Sequence, residues 1–400
     1  MKRSRYMVAL VLAIFFVISL LTNIIGPLIP DMIDTFHISL AAAGLLPFAF
    51  FIAYGVMSIP AGVLIEKYGE KRVVLAAFTA SFAGAVTFAL VPVYTVAMGA
   101  FFLIGLAMAM LQVAINPLLR VAGGEENYAF NSAFAQLVFG SASFLSPLVY
   151  SYLVRRLTGR VNPAWVSMYW VFAAVTLATI LLIAFSRFPK VELTDEERVG
   201  TWATHKKLLR NPAVPLYFVS MFAYVGTEQG TANWISKFLA TYHGYDPQTT
   251  GATAVAWFWG LLTAGCLLGM LLLRLFDSRK VLIAAAVLAM AALTTALAAP
   301  GPVALIAFPA VGFTISVMWP IIVSLGLNSV AEHHGAVSGI LCTAISGGAV
   351  APLIVGRLGD YAGLRTGMLF LYVTLAWILS IGFWAKPIVA NKTFGGTGGR

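Results

Sequence analysis

The feature that most limits the fold is a series of apolar runs long enough to cross a membrane. The hydrocarbon core of a bilayer is about 30 Å thick, so an α-helix needs about 20 residues to cross it. Twelve runs of roughly this length predict an all-α membrane protein with twelve transmembrane helices, called spans 1 to 12 below. They cover residues 6–30, 40–65, 72–92, 95–119, 128–154, 164–187, 212–240, 249–275, 279–299, 302–327, 335–357 and 364–386.

Composition agrees with a membrane as the surrounding solvent. Hydrophobic residues make up 60% of the chain and charged residues 10%, whereas a soluble domain carries about 25% charged residues. The net charge of +10 does not indicate nucleic-acid binding, because the basic residues lie in the breaks between apolar runs. The two cysteines, Cys266 and Cys342, lie inside apolar runs and fit neither a disulfide framework nor a zinc site.

The distribution of basic residues predicts the orientation. With a cytoplasmic N-terminus, nineteen of the 25 lysines and arginines fall on the inner side and six on the outer side. Because membrane proteins keep their positive loops inside, both termini are predicted to be cytoplasmic, in a multi-pass protein of the inner (plasma) membrane. "Inner" and "outer" refer to this predicted orientation below.

The longest polar stretch, residues 188–211, divides the chain into two halves of six spans each. It contains a possible capping box at Thr194–Glu197, so either a short surface helix or a flexible linker is expected. The pattern Gly62-x-Leu64 followed by Arg72 recurs 207 residues later from Gly269, as in transporters built from two related halves. The predicted parts are an N-terminal bundle at 1–187, a cytoplasmic linker at 188–211, a C-terminal bundle at 212–388 and a disordered tail at 389–400.

The loop between spans 2 and 3 carries a recognisable motif. Residues 62–72 read GVLIEKYGEKR, which resembles the signature of the major facilitator superfamily at this position, G-x-L-x-(D/E)-x-x-G-x-(K/R)-(K/R). Gly69 permits a sharp reversal of the chain. The basic residues Lys71 and Arg72 are expected to lie at the lipid headgroups. The resemblance implies a cytoplasmic gate in which Glu66 faces the positive end of the helix that begins near Gly335. The motif residues are Gly62, Glu66, Gly69, Lys71 and Arg72.

Within that superfamily the chain resembles the fucose–galactose–glucose cation symporters over nearly its whole length. The resemblance lies in residues 43–62, 114–117 and 319–360, where small residues recur at several spacings. It implies alternating access and a monosaccharide substrate. The chain also departs from the family, because Gly26 and Gln112 stand where the fucose permease has its coupling aspartate and glutamate. The family's proton coupling through acids of the first half is therefore not expected in this chain.

Glu228 is predicted to be the coupling residue. It lies 13 residues after Pro215, about 20 Å along a helix and near the middle of the bilayer, where inserting an acid costs about 2.5–3.5 kcal/mol. Glycines on both sides are expected to let the helix unwind and free carbonyl oxygens. A carboxylate there suits either H⁺ or Na⁺, and Thr231 is a possible second Na⁺ ligand. No other cofactor is expected.

Sugar binding requires hydrogen-bonding side chains and an aromatic face for stacking. Hydrogen bonding between helices is the alternative role for each amide. The candidate substrate residues are Asn23, Gln112, Asn116, Gln136, Gln229, Asn233 and Trp234.

The predicted function is that of a monomeric secondary active transporter, not an enzyme. No phosphate-binding loop of the type G-x-x-x-x-G-K-(S/T) is present, and Glu228 has no obvious partner base for catalysis. The alternative is a proton-driven exporter of amphipathic small molecules, which the loss of the first-half acids favours.

Overall fold

The computed structural model describes residues 5–124, 128–161, 163–186, 188, 202–330 and 333–386, and every regular element in them is a helix. Eleven segments are long and apolar enough to cross a membrane, which confirms the all-helical membrane fold. They are Tyr6–Phe36, Leu40–Tyr68, Glu70–Leu90, Tyr94–Gly123, Phe130–Leu157, Ala164–Phe185, Pro247–Leu275, Ser278–Ala298, Gly301–Leu327, Gly335–Ala362 and Leu364–Trp384.

The difference between eleven and the predicted twelve concerns span 7. Its first helix, Ala213–Ala232, has 20 residues and is therefore long enough. It falls short in hydropathy, because polar residues occupy its second half around Glu228. The segment that is the least apolar of the predicted spans is thus also the one that carries the predicted ion site.

Within the described residues five spans are interrupted, and three of these extend beyond their predicted ends, including span 7, which ends at His243. Span 1 continues to Phe36 and span 11 to Ala362, so Asp31 and Asp360 lie within helices. The interrupted spans consist of Arg5–Thr22 and Ile25–Phe36, Ala213–Ala232 and Ile235–His243, Gly301–Ile315 and Met318–Leu327, His334–Thr343 and Gly347–Ala362, and Leu364–Met368 and Leu371–Trp384.

The two halves pack in the same way. Spans 2 and 4, 3 and 4, 3 and 6, and 1 and 5 are in contact in the first half. The corresponding pairs in the second half, spans 8 and 10, 9 and 10, 9 and 12, and 7 and 11, are also in contact. This correspondence is the arrangement expected of a bundle built from two related six-helix units.

The halves meet along spans 2 and 11, spans 5 and 8, and the outer parts of spans 1 and 7. Lipid is as apolar as a leucine side chain, so these contacts depend on close packing of small residues. At Gly26, just after the interruption of span 1, an added Cβ would collide with the carbonyl oxygen of Ala232 and lie 3.1 Å from the Cα of Asn233. The interruptions of spans 1 and 7 therefore touch each other across the interface.

The predicted linker is only partly within the described residues. A short helix, Trp202–Leu209, precedes span 7. The capping box at Thr194–Glu197 and the predicted disordered tail lie outside the described residues, so the boundaries of linker and tail remain predictions.

Candidate functional site

Glu228 lies on a face of span 7 that is directed into the bundle. It is partly accessible, whereas every other residue from Ala223 to Ser236 is buried. Tyr224, one helical turn earlier, places its ring 5.9 Å from that of Trp319 in span 10. This contact with a helix of the same half shows that the Glu228 face is inside the protein and not against lipid.

Two neutral groups donate hydrogen bonds to the carboxylate of Glu228. The Tyr224 hydroxyl donates a hydrogen bond of 2.6 Å to Oε2 of Glu228, and Nε2 of Gln229 donates one of 3.2 Å to Oε1. No lysine, arginine or histidine among the described residues forms an ion pair with it. In the described part of the chain, hydrogen bonds stabilise the carboxylate and no cation neutralises it.

The expected unwinding beside Glu228 does not occur. The helix continues from Ala213 to Ala232, and Gly226 and Gly230 keep its geometry. Both glycines serve packing instead, since an added Cβ would lie 3.1 Å from Ala351 at Gly226 and 2.6 Å from Leu371 at Gly230. The interruption comes five residues later, so carbonyl oxygens are not freed at Glu228 itself.

The possible sodium ligand Thr231 is fully buried. Its hydroxyl donates to the carbonyl oxygen of Thr227 at 2.7 Å, as threonines in membrane helices often do. The lone pairs of the hydroxyl oxygen are not used by this bond, so the role of Thr231 as a cation ligand stays a prediction.

Several predicted substrate residues take part in helix packing. Asn23, at the interruption of span 1, donates to Oγ of Ser143 in span 5 at 2.8 Å. Trp234 is 0% exposed and donates from Nε1 to the carbonyl oxygen of Pro352 in span 11 at 3.1 Å. Its ring is fully enclosed in this conformation, so a sugar can stack on Trp234 only if the helices around it rearrange.

Other predicted substrate residues have unused hydrogen-bonding groups. Nδ2 of Asn233 is buried without a partner, which is rare for a buried amide unless water or a ligand completes it. Gln112 is half-buried and Gln136 is exposed, and neither forms a hydrogen bond with another described residue. Gln229 binds Glu228, and its Cγ lies 3.1 Å from where a Cβ at Gly348 of span 11 would be. The side chain of Asn116 lies outside the described part of the chain.

The motif between spans 2 and 3 forms a tight turn. Gly69 has a φ of +80°, as expected for the reversal. The ammonium group of Lys71 donates hydrogen bonds to the carbonyl oxygens of Ala184 and Ser186 at 2.9 and 2.8 Å. It thereby caps the negative end of span 6. Gly62 is buried, whereas Glu66 and Arg72 are exposed. Span 11, which Glu66 is predicted to face, begins at His334. The cytoplasmic gate stays a prediction.

On the outer side, the carboxylate of Asp360 near the C-terminal end of span 11 contacts the N-terminus of span 2. Both oxygens of Asp360 accept hydrogen bonds from the first backbone N–H groups of span 2, at Leu40 and Ala41, each 2.9 Å long. A carboxylate at a helix N-terminus satisfies otherwise unpaired donors and lies at the positive end of the helix dipole. The outer ends of the two halves are therefore bound to each other.

Sequence reasoning did not identify Asp31 as a buried acid, because it placed the end of span 1 at residue 30. Asp31 is 8% exposed and accepts hydrogen bonds from Tyr150 of span 5 and Gln248 at the start of span 8. The apolar residues Met32, Ile33 and Phe36 that follow it were the signal that the helix continues past Pro30.

Comparisons with known proteins agree with this architecture. The family model described as Major Facilitator Superfamily matches residues 11–352. A glucose/galactose transporter of Brucella abortus biovar 1 (strain 9-941) is 29% identical over 377 residues, covering 92% of this chain and 91% of the relative. An L-fucose-proton symporter of Escherichia coli (strain K12) is 27% identical over 392 residues, covering 89% of this chain and 87% of the relative.

Solved structures show the same fold. The transporter FucP in the outward conformation superposes with a TM-score of 0.68 at 23% identity, covering 96% of this chain and 99% of that one. A bacterial homolog to the human lysosomal transporter Spinster, inward-facing and occupied, superposes with a TM-score of 0.80 at 15% identity, covering 95% and 96%. With the match of the family model over most of its length, the chain belongs to the Major Facilitator Superfamily and is a multi-pass membrane transporter.

Proposed function

We propose that the protein is a cation-coupled symporter of hexoses that works by alternating access with Glu228 as its coupling residue. Relatives that align with about nine-tenths of the chain are named a glucose/galactose transporter and an L-fucose-proton symporter, which makes these sugars the first substrates to test. The position of Glu228 supports its assignment as the coupling residue. It is partly accessible inside the bundle, and its described hydrogen-bond donors are neutral.

A carboxylate in this position couples an ion to the movement of the halves. Enclosing an uncompensated charge in a medium of low dielectric constant is costly, because the protein cannot replace the water that it loses. A bound H⁺ or Na⁺ neutralises the charge and lowers that cost. The occluded state is therefore easier to reach with the cation bound, which links each transport step to cation binding.

The unused amide groups suit a sugar. A hexose presents hydroxyl groups in several directions, and each can donate and accept a hydrogen bond. Asn233, Gln112 and Gln136 supply groups that have no partner among the described residues. A sugar hydroxyl that satisfies the buried Nδ2 of Asn233 would remove a penalty of about 1–3 kcal/mol.

We further propose that the protein is a monomer in the inner (plasma) membrane, with both termini in the cytoplasm. The excess of lysine and arginine on the predicted inner side supports this orientation.

Uptake into proteoliposomes tests the substrate and the driving ion. Radiolabelled glucose, galactose and fucose are supplied in turn with an inward H⁺ gradient, an inward Na⁺ gradient or no gradient. We expect at least one sugar to accumulate above its equilibrium level under one of the gradients. Failure of all three sugars, together with proton-driven extrusion of an amphipathic dye, would overturn the proposal in favour of the exporter.

A further inference from the structure

We propose that Asp31 is a second proton-binding residue, whose protonation favours closure of the outer side. The proposal goes beyond the role of Glu228 but rests on the proposed alternating access. Asp31 belongs to the first half, one and a half turns beyond Gly26, and is buried in the outer part of span 1. Asp31 is a buried acid that the mechanism above does not use.

Asp31 joins the two halves. Nε2 of Gln248, in the second half, donates a hydrogen bond of 2.6 Å to Oδ1. The hydroxyl of Tyr150, in the first half, donates to Oδ2. When the outer ends separate, the Gln248 bond must break and water must reach Asp31. The surroundings of this carboxyl therefore change with every opening and closing of the outer side.

Closure brings acidic residues together. Asp34 lies one turn further along span 1, and Asp246 precedes span 8 in the second half; both are near enough to repel a charge on Asp31. Asp246 approaches Asp31 only when the halves meet. Closing thus removes water from a carboxylate and moves a second negative charge towards it, which costs less when Asp31 carries a proton.

No cation of the protein offsets this cost within the described residues. The outer helix of span 7, Ile235–His243, packs against span 1 and contains Lys237 and His243, but neither forms an ion pair with Asp31. Arg155 and Arg156 are exposed, more than one turn beyond Tyr150 on span 5. Span 2 has no charged residue in its outer half.

The same side chains can serve both protonation states. The ionised carboxyl accepts from Tyr150 and Gln248, as the structure shows. A neutral carboxyl must donate from one oxygen, and the Gln248 amide can turn to present its own oxygen as the acceptor. A proton taken from the outer medium would thus be enclosed at Asp31 as the outer side closes, in the direction that symport requires.

The test measures the distance between the outer ends of the halves without sugar. Spin labels are placed at Arg160→Cys and Ala298→Cys, in a protein whose Cys266 and Cys342 are replaced by alanine; we call this the outer label pair. The measurement is made at about pH 5.5 and about pH 8. It is carried out in the Glu228→Gln background, so that titration of Glu228 does not contribute.

We expect acid to increase the fraction of protein with a short label distance. Asp31→Asn, which resembles the neutral acid, should give a mostly short distance at both pH values and lose the pH response. The matched control Asp34→Asn, an exposed acid on the same helix, should keep the response. Gln248→Ala should lengthen the distance at both pH values while acid still shortens it.

An unchanged pH response in Asp31→Asn, or a response absent from the parent protein, would refute the proposal. Because the readout uses neither sugar nor an ion gradient, such a result would leave the proposed symport untouched. Conversely, a failure of sugar uptake would not affect the label distances.

Discussion

At the scale of single residues, the environment of Glu228 explains how an acid is retained in the middle of a span. Its insertion costs about 2.5–3.5 kcal/mol. Hydrogen bonds to a charged group contribute about 1.5–3 kcal/mol each, so the bonds from Tyr224 and Gln229 offset a cost of this size. Neither donor carries a charge, and the carboxylate therefore remains able to bind a cation.

Tyr224→Phe tests the role of the hydroxyl. The substitution keeps the ring against Trp319 but removes the donor to Oε2. Since that donor stabilises the carboxylate without its cation, its loss of about 1.5 kcal/mol should lower the concentration of driving cation that gives half-maximal uptake about tenfold. Sugar uptake measured over a series of cation concentrations checks this. An unchanged half-maximal concentration would mean that the hydroxyl does not act on the ion site.

Gly26 lies where the two halves approach each other closely. An added Cβ there would collide with the carbonyl oxygen of Ala232. Gly26→Ala should therefore destabilise the closed outer side by about 1–3 kcal/mol, the usual cost of overpacking.

The outer label pair measures this effect. The long-distance fraction should rise by about fivefold or more in Gly26→Ala. Gly99→Ala serves as the control, since an added Cβ at Gly99 meets nothing within 4 Å. Equal distances in the two variants would show that the close approach at Gly26 does not limit opening.

At the scale of helices, the ends of spans 2 and 11 form the contacts between halves. The C-terminal end of span 11 supplies Asp360 to the N-terminus of span 2 on the outer side. On the inner side, Glu66 near the end of span 2 is predicted to face the beginning of span 11. The two carboxylates thus occupy corresponding positions on opposite sides of the membrane, where they would hold alternate closed states.

Asp360→Asn tests the outer contact. An amide keeps one acceptor but loses the charge at the positive end of span 2, so closure should weaken by about 0.5–2 kcal/mol. The ratio of long-distance to short-distance protein for the outer label pair should increase by about twofold to thirtyfold. Arg357→Gln, one turn earlier on span 11, removes a charge that touches Tyr361 and not span 2, and should have no such effect. Similar shifts in both variants would point to net charge as the cause.

At the scale of the whole molecule, the membrane fold followed from the sequence because a bilayer imposes a minimum length on each apolar run. The helix interruptions at Asn23–Ile24 and Asn233–Trp234 could not be predicted from the sequence, because they lie where the two halves pack against each other. Burial of Asp31 depended on span 1 continuing beyond residue 30, with Pro30 inside the helix. Glu228 could be selected as the proposed coupling residue from its depth in span 7, whereas the hydrogen bond from Tyr224 was seen only in the structure.

The most direct test of the account is gradient-driven accumulation of the transported sugar by Glu228→Gln. The variant should exchange labelled for unlabelled sugar but fail to concentrate it under the cation gradient that drives the unmodified protein. Glu228→Asp, which keeps the charge, should retain part of the accumulation. Concentrative uptake by Glu228→Gln at the level of the unmodified protein would contradict the assignment of Glu228 as the coupling residue.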